Sequence, residues 1–202
     1  MNSPSNPQIQ RPPLHAVNAD MPDAALVAAA IDGSLWAKET LYRRHVDAVS
    51  RLAYRLLARD EDIDDIVQET FMHAFEGLSK IRNPDAFRSF LMGITIRRAR
   101  RRIRKMSLLR RLGILRAQPI EGDTLIAPDA PPDVAAELSA LYTLLEELPA
   151  DARVALVLRR VEGLSMPEIA EQLGTSLSTA KRRLQEAEVL LSGRVSRPRS
   201  QS

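Results

Sequence analysis

The sequence predicts an all-α fold of two small helical domains joined by a linker. Three observations lead there. Leu, Ala, Arg and Glu dominate the 202 residues, aromatics make up only 4% and there are just 8 glycines, a balance that favours helix. No stretch of useful length alternates apolar and polar residues with period two, so no strand is predicted, and no internal repeat is visible. The segment 113–132 carries Gly113, Pro119, Gly122, Pro128, Pro131 and Pro132, which break helical periodicity in mid-chain. The charge turns acidic there, as between domains.

Residues 1–22 hold Pro4, Pro7, Pro12, Pro13 and Pro22 among polar neighbours and read as a disordered tail. The first domain, 23–112, opens with a helix whose stripe is Leu26, Val27, Ala30 and Ile31, ended by Gly33. Ser34 is placed to cap a second helix to about residue 58, with Leu41, Val49, Leu52, Ala53, Leu56 and Leu57 on one face. A third helix from Asp62 buries Ile63, Ile66, Val67, Thr70, Phe71, Ala74, Phe75 and Leu78. Its acids crowd the first turns, where the helix dipole favours them. Asn83-Pro84-Asp85 signals a fourth helix start, carrying Phe87, Phe90, Leu91 and Ile94 past Arg104. The second domain, 133–193, has helices over 133–149 and 151–161 and then a helix-turn-helix; 194–202 is a tail.

Charge is informative by place rather than by total. The net charge is +3, yet 86–120 contains eleven Lys or Arg and no acid, an electrostatic footprint for a polyanion. Arg97, Arg98, Arg100, Arg101, Arg102, Arg104 and Lys105 run nearly all round one helix. They suit phosphate binding, although such runs are often only solvated faces and an acidic membrane surface is another polyanion. The acidic helix has Asp62, Asp64, Asp65 and Glu69 off its apolar stripe. Its spacing matches no calcium loop, so on its residues alone it is a solvated face or a protein-binding one.

In the helix-turn-helix, Ser165-Met166-Pro167-Glu168 forms a capping box, Gly174 permits the left-handed turn and Ser176 caps the second helix. Leu177, Ala180, Leu184, Ala187 and Leu191 form the buried stripe. Ser178, Thr179, Lys181, Arg182 and Gln185 remain outside, donors at a helix start that suit a DNA groove.

Other chemistries find no signature. The chain has no cysteine, which excludes disulfides and cysteine-ligated zinc and suits the cytoplasm. His15, His45 and His73 are isolated, and no metal or other cofactor is expected. No phosphate-cradling glycine loop or nucleophile elbow occurs, so no catalytic residue is assigned. No apolar run reaches a membrane span, and the N-terminus lacks a secretory signal.

The order of these segments resembles the sigma-70 family, and within it the extracytoplasmic-function (ECF) sigma factors. Asp65-Ile66-Val67-Gln68-Glu69-Thr70-Phe71 is similar to the region 2.2 signature that docks on core RNA polymerase. Phe87-Arg88-Ser89-Phe90-Leu91-Met92-Gly93-Ile94 is similar to the helix that melts and reads the −10 element. Leu148-Pro149 through Leu184 is similar to region 4, which reads the −35 element. The resemblance implies two domains on a flexible linker, no catalysis, and bacterial core RNA polymerase, promoter DNA and an anti-sigma factor as partners. It places core binding on Asp62, Asp65, Gln68 and Glu69, −10 contact on Phe90, Arg97, Arg98 and Arg101, and −35 contact on Ser178, Thr179, Lys181, Arg182 and Gln185. The chain departs where the family often has Trp (Phe90), Asn (Arg97) and Asp (Arg101), and in the recognition helix at Ser178, Ala180 and Glu186. The alternatives are a helix-turn-helix regulator acting without polymerase and a sigma-like protein that sequesters a partner.

Overall fold

The structure, a computed structural model, describes residues 21–57, 62–81, 83–114 and 132–195. Residues 1–20 and 196–202 of the two predicted tails lie outside the described residues, as do 115–131 of the predicted linker; 194 and 195, expected in the C-terminal tail, end the last helix instead. Among the described residues there are eight α-helices and no strand. The first half holds α1 (Asp23–Ile31), α2 (Leu35–Leu57), α3 (Ile63–Glu76) and α4 (Phe87–Arg111). The second holds α5 (Pro132–Glu147), α6 (Ala150–Arg160), α7 (Met166–Leu173) and α8 (Leu177–Val195).

The start and stop signals act mostly as predicted. Gly33 turns the chain after α1 at φ +92°, a conformation that costs glycine nothing. Ser34 is the exception: its buried hydroxyl has no hydrogen-bond partner, so it does not cap α2 through its side chain. Asn83 Oδ1 accepts from the Asp85 amide at 3.1 Å as expected. The turn it caps is a 3₁₀ turn, Pro84–Ala86, and the α-helix begins after it at Phe87. From there α4 continues unbroken to Arg111, and Gly113 at φ +70° follows its end.

α4 organises the fold because it carries two apolar stripes. Phe87, Leu91 and Ile94 recur at helical spacing and enter a core with Leu26, Leu41, Val67 and Phe71 from α1, α2 and α3. Ile96, Ala99 and Ile103 recur on another face. They enter a second core with Leu52 and Leu56 of α2, Val154 and Leu158 of α6, and Ile169 and Leu173 of α7. A smaller cluster joins Tyr54 of α2 to Tyr142 and Leu145 of α5 and Leu156 of α6, the two tyrosine rings meeting edge to face at 6.1 Å. The sequence assigns each half its own modest core; the structure adds a core common to both.

Gly93 shows how closely the halves approach. It is buried in mid-α4, and a Cβ there would lie 3.1 Å from Gln172 Oε1 of α7 and 3.2 Å from Arg97 Nη1. A larger residue here would have to push aside the ends of the Gln172 and Arg97 side chains.

Candidate polymerase and nucleic-acid interfaces

The acidic helix presents three of its four singled-out residues. Asp65, Gln68 and Glu69 are exposed on α3, since Ile66, Val67, Thr70 and Phe71 take the buried side. Asp62 departs from the expectation. It sits just before α3, is 6% exposed and accepts a hydrogen bond from Arg102 of α4. That bond, with Asp65 and Glu69 nearby, raises the Arg102 guanidinium above its ordinary value. Periodicity places Asp62 off the apolar stripe correctly, but it does not show that α4 covers that position.

Space supplies the acids that the sequence around the arginines lacks. Glu69 pairs with Arg98 at 3.0 Å. Asp151, at the start of α6, receives Arg100 through two bonds, Nε at 2.5 Å and Nη2 at 2.8 Å, and Arg104 Nη2 at 3.0 Å. Arg100 Nη1 also donates to the Leu173 carbonyl at the end of α7, 2.9 Å away. Arg110 reaches Glu146 at 3.1 Å. Burial by itself would raise the Asp151 carboxyl; the Arg100 bonds and the charges of Arg100 and Arg104 outweigh it and hold the group below its ordinary value. The arginine run thus divides. Arg97 and Arg101 stay exposed on α4, while Arg100, Arg102 and, with its tip, Arg104 face acids of neighbouring helices. Between α3 and α4 lies a cleft of about 470 Å³, walled by Asp62, Asp65 and Glu69 on one side and Arg98, Arg101, Arg102 and Lys105 on the other. Phe90 is half-buried at the opposite end of the helix, its ring tip 3.4 Å from where a Cβ on Gly77 would stand.

The helix-turn-helix is built by local rules. Ser165 N–H donates to Glu168 Oε2 at 2.7 Å and its hydroxyl to the same oxygen at 2.6 Å, while the Glu168 amide donates back to Ser165 Oγ. These bonds hold the Glu168 carboxyl below its ordinary value. Gly174 takes φ +62° and ψ +42°, turning the chain from α7 into α8. Ser176 Oγ accepts from the Thr179 amide at 3.2 Å and lies within 3.0 Å of the hydroxyls of Ser178 and Thr179. Ile169, Ala170, Leu173, Ala180 and Ala187 bury the inner side. Ser178, Lys181, Arg182 and Gln185 are exposed and Thr179 partly so. Glu186, near this face, pairs with Arg183 at 2.9 Å.

The histidines fall where isolated histidines are expected. His45 is buried, its Nε2 2.6 Å from Asp23 Oδ2, and His73 is exposed near Glu76. His15 lies outside the described residues. Among the described residues no group of three or more metal-ligating side chains forms, and no helix is long and apolar enough to cross a membrane.

A helix-turn-helix with exposed donors, behind an acidic helix and an arginine helix, defines a two-part helical protein of the DNA-binding class. Residues 41–108 match the family model for Sigma-70 region 2 and residues 138–191 that for Sigma-70, region 4. The chain is 30% identical to the RNA polymerase sigma factor NccH of Alcaligenes xylosoxydans xylosoxydans, over 84% of its own length and 92% of that protein's. It is 36% identical to the ECF RNA polymerase sigma factor SigE of Mycolicibacterium smegmatis, over 72% of this chain and 56% of the relative. Among solved structures it resembles CnrH in complex with the cytosolic domain of CnrY, at TM-score 0.58 and 27% identity, covering 87% of this chain and 97% of that one. The chain belongs to the sigma-70 family, in its group of ECF sigma factors.

Proposed function

We propose that this chain directs bacterial core RNA polymerase to promoters, with one half serving the −10 element and the other the −35 element, and that it performs no catalysis itself. The observation that carries the reading is the exposure of two separate charged sets on one chain. Asp65, Gln68 and Glu69 offer a basic partner an acidic face on α3, and Ser178, Thr179, Lys181, Arg182 and Gln185 offer DNA a donor face on α8. Arg97, Arg98 and Arg101, with Phe90, serve the −10 DNA; the arginines supply phosphate contacts where relatives often have Asn and Asp. The functional division is 23–112 and 133–193, with 113–132 as tether, which makes two weak DNA contacts strengthen one another. The working place is the cytoplasm. A partner of the kind that CnrY is to CnrH, an anti-sigma factor, fits the same reading.

Run-off transcription with purified core polymerase on genomic DNA tests this directly. Start sites sharing −35 and −10 sequences are expected. Transcripts no different from core enzyme alone would leave a DNA-binding regulator as the better reading.

A further inference from the structure

The C-terminal end of α4 carries apolar side chains on the side where a surface helix ordinarily keeps polar ones. Ile96, Ala99 and Ile103 define its buried side. At about 100° per residue, Arg101, Arg104, Lys105, Leu108, Arg111 and Leu112 fall within about 120° of one another, on the side away from that core. All six are exposed, Leu108 at 55% and Leu112 at 63%.

The tip beyond them is held in place by the backbone. Gly113 takes φ +70°, its amide donates to the Arg110 carbonyl, and the Ile114 amide donates to that of Leu109, both at 3.0 Å. That pair of bonds closes a helix end and commonly brings the residue after the glycine against the last turn. Here Ile114 remains 66% exposed. Leu108, Leu112 and Ile114 thus stand out together among cations, in a stretch, 86–120, whose sequence contains no acid. Arg104 shares its tip with Asp151, and Arg110, on the core side, is taken by Glu146.

Cations alone would suit the phosphates of a duplex, whose backbone offers leucines nothing. An anionic bilayer surface uses both kinds of side chain. Apolar groups enter the acyl boundary while arginine and lysine reach the headgroup phosphates. We propose that this end of α4 is a peripheral membrane-binding surface, which takes an anionic lipid bilayer against Lys105, Leu108, Arg111, Leu112 and Ile114. None of the five belongs to the sets assigned above to polymerase or DNA. The helix lies along the bilayer, since its other side is committed to the protein core. The proposal does not depend on the promoter reading, which transcription with core polymerase tests separately.

Co-sedimentation of the full chain with vesicles tests this at physiological salt. One set holds phosphatidylglycerol and phosphatidylcholine in equal parts, the other phosphatidylcholine alone. Wild type is expected to pellet with the anionic vesicles and to stay in solution with the neutral ones. Leu108→Gln with Leu112→Gln and Ile114→Gln keeps every charge. It is expected to lower the affinity for anionic vesicles about a hundred-fold, three apolar side chains being lost from the lipid boundary. Lys105→Gln with Arg111→Gln keeps the apolar groups and is expected to lower it about thirty-fold through lost headgroup attraction. Either variant tests the surface if the other fails to fold. Affinity for duplex DNA is expected to stay that of wild type in the apolar variant. Anionic and neutral vesicles bound alike, or either variant bound as tightly as wild type, would overturn the proposal. A matching loss on duplex DNA in the apolar variant would give the face to nucleic acid and overturn it as well.

Discussion

Arg102 of α4 donates to the buried carboxylate of Asp62, tying the entrance of α3 to the middle of the arginine helix. This separates two acids that look alike in sequence. Asp62, just before α3, holds the fold; Glu69, about two helical turns further on, pairs with Arg98 yet keeps its side chain 52% exposed toward a partner.

Asp62→Ala is expected to cost about 1.5–3 kcal/mol of stability, because it leaves a charged donor without its partner. Charge reversal at Asp65 and Glu69 is expected to cost less, about 1 kcal/mol, since both are exposed and lose only the Arg98 pair and the attraction of the facing arginines. Its effect falls on core polymerase, whose binding weakens. Chemical denaturation beside a core-enzyme pull-down checks both. Wild-type affinity in the Asp65/Glu69 variant would remove the acidic face from the polymerase interface.

Arg182→Ala tests the recognition helix. Arg182 is exposed on α8 and does not support the core, so the fold should survive. Binding to a −35 duplex is expected to fall by about 1–3 kcal/mol, the size of one lost base or phosphate contact. Band-shift titration on matched and scrambled −35 duplexes distinguishes the cases: an equal loss on both means a phosphate contact only.

The pair Arg97→Asn and Arg101→Asp removes two of the cations that α4 leaves exposed. The salt dependence of DNA binding is expected to shallow by about 1.8 in slope for two lost phosphate contacts. Promoter opening should hold or improve. A salt titration beside permanganate footprinting measures both; melting that collapses at an unchanged slope would place these arginines at the bases instead.

The pH response of the contact between the two halves follows from Asp151. Its carboxyl lies below the ordinary value of 3.8 in the folded protein, the arginines outweighing burial. A lowered carboxyl contributes stability that is fully present above the unfolded value and is lost as pH falls through the folded one. The stability that Asp151 contributes, read as the difference in chemical denaturation between wild type and Asp151→Asn, is therefore expected to be flat from pH 8 to 5 and to decline only below about pH 4.

Much of this was legible in the sequence because it is encoded locally. The Ser165–Glu168 box, the Gly174 turn, the Ser176 cap and the stripe Ile66, Val67, Thr70 and Phe71 each depend on residues within a turn or two, and the structure has all of them. What escaped depends on partners far along the chain. Asp151 lies 51 residues from Arg100 and Asp62 lies 40 from Arg102. Neither acid stands out by spacing, so the arginine helix looks unneutralised until the fold is closed. Ile96, Ala99 and Ile103 carried a signal that was available: a second apolar stripe on α4, more than one domain's core needs.

That second stripe also governs how the molecule comes apart. A helix with one wall in each half cannot lose either neighbour without wetting Ile96, Ala99 and Ile103. Melting of the two halves packed in this way is therefore a single cooperative event, and a weakness built into α6 is felt by amides of α4. If the halves were parted, the same chain would become two foldons with separate midpoints. Calorimetry, which sees one peak or two, then reads conformation without any DNA or polymerase in the cell.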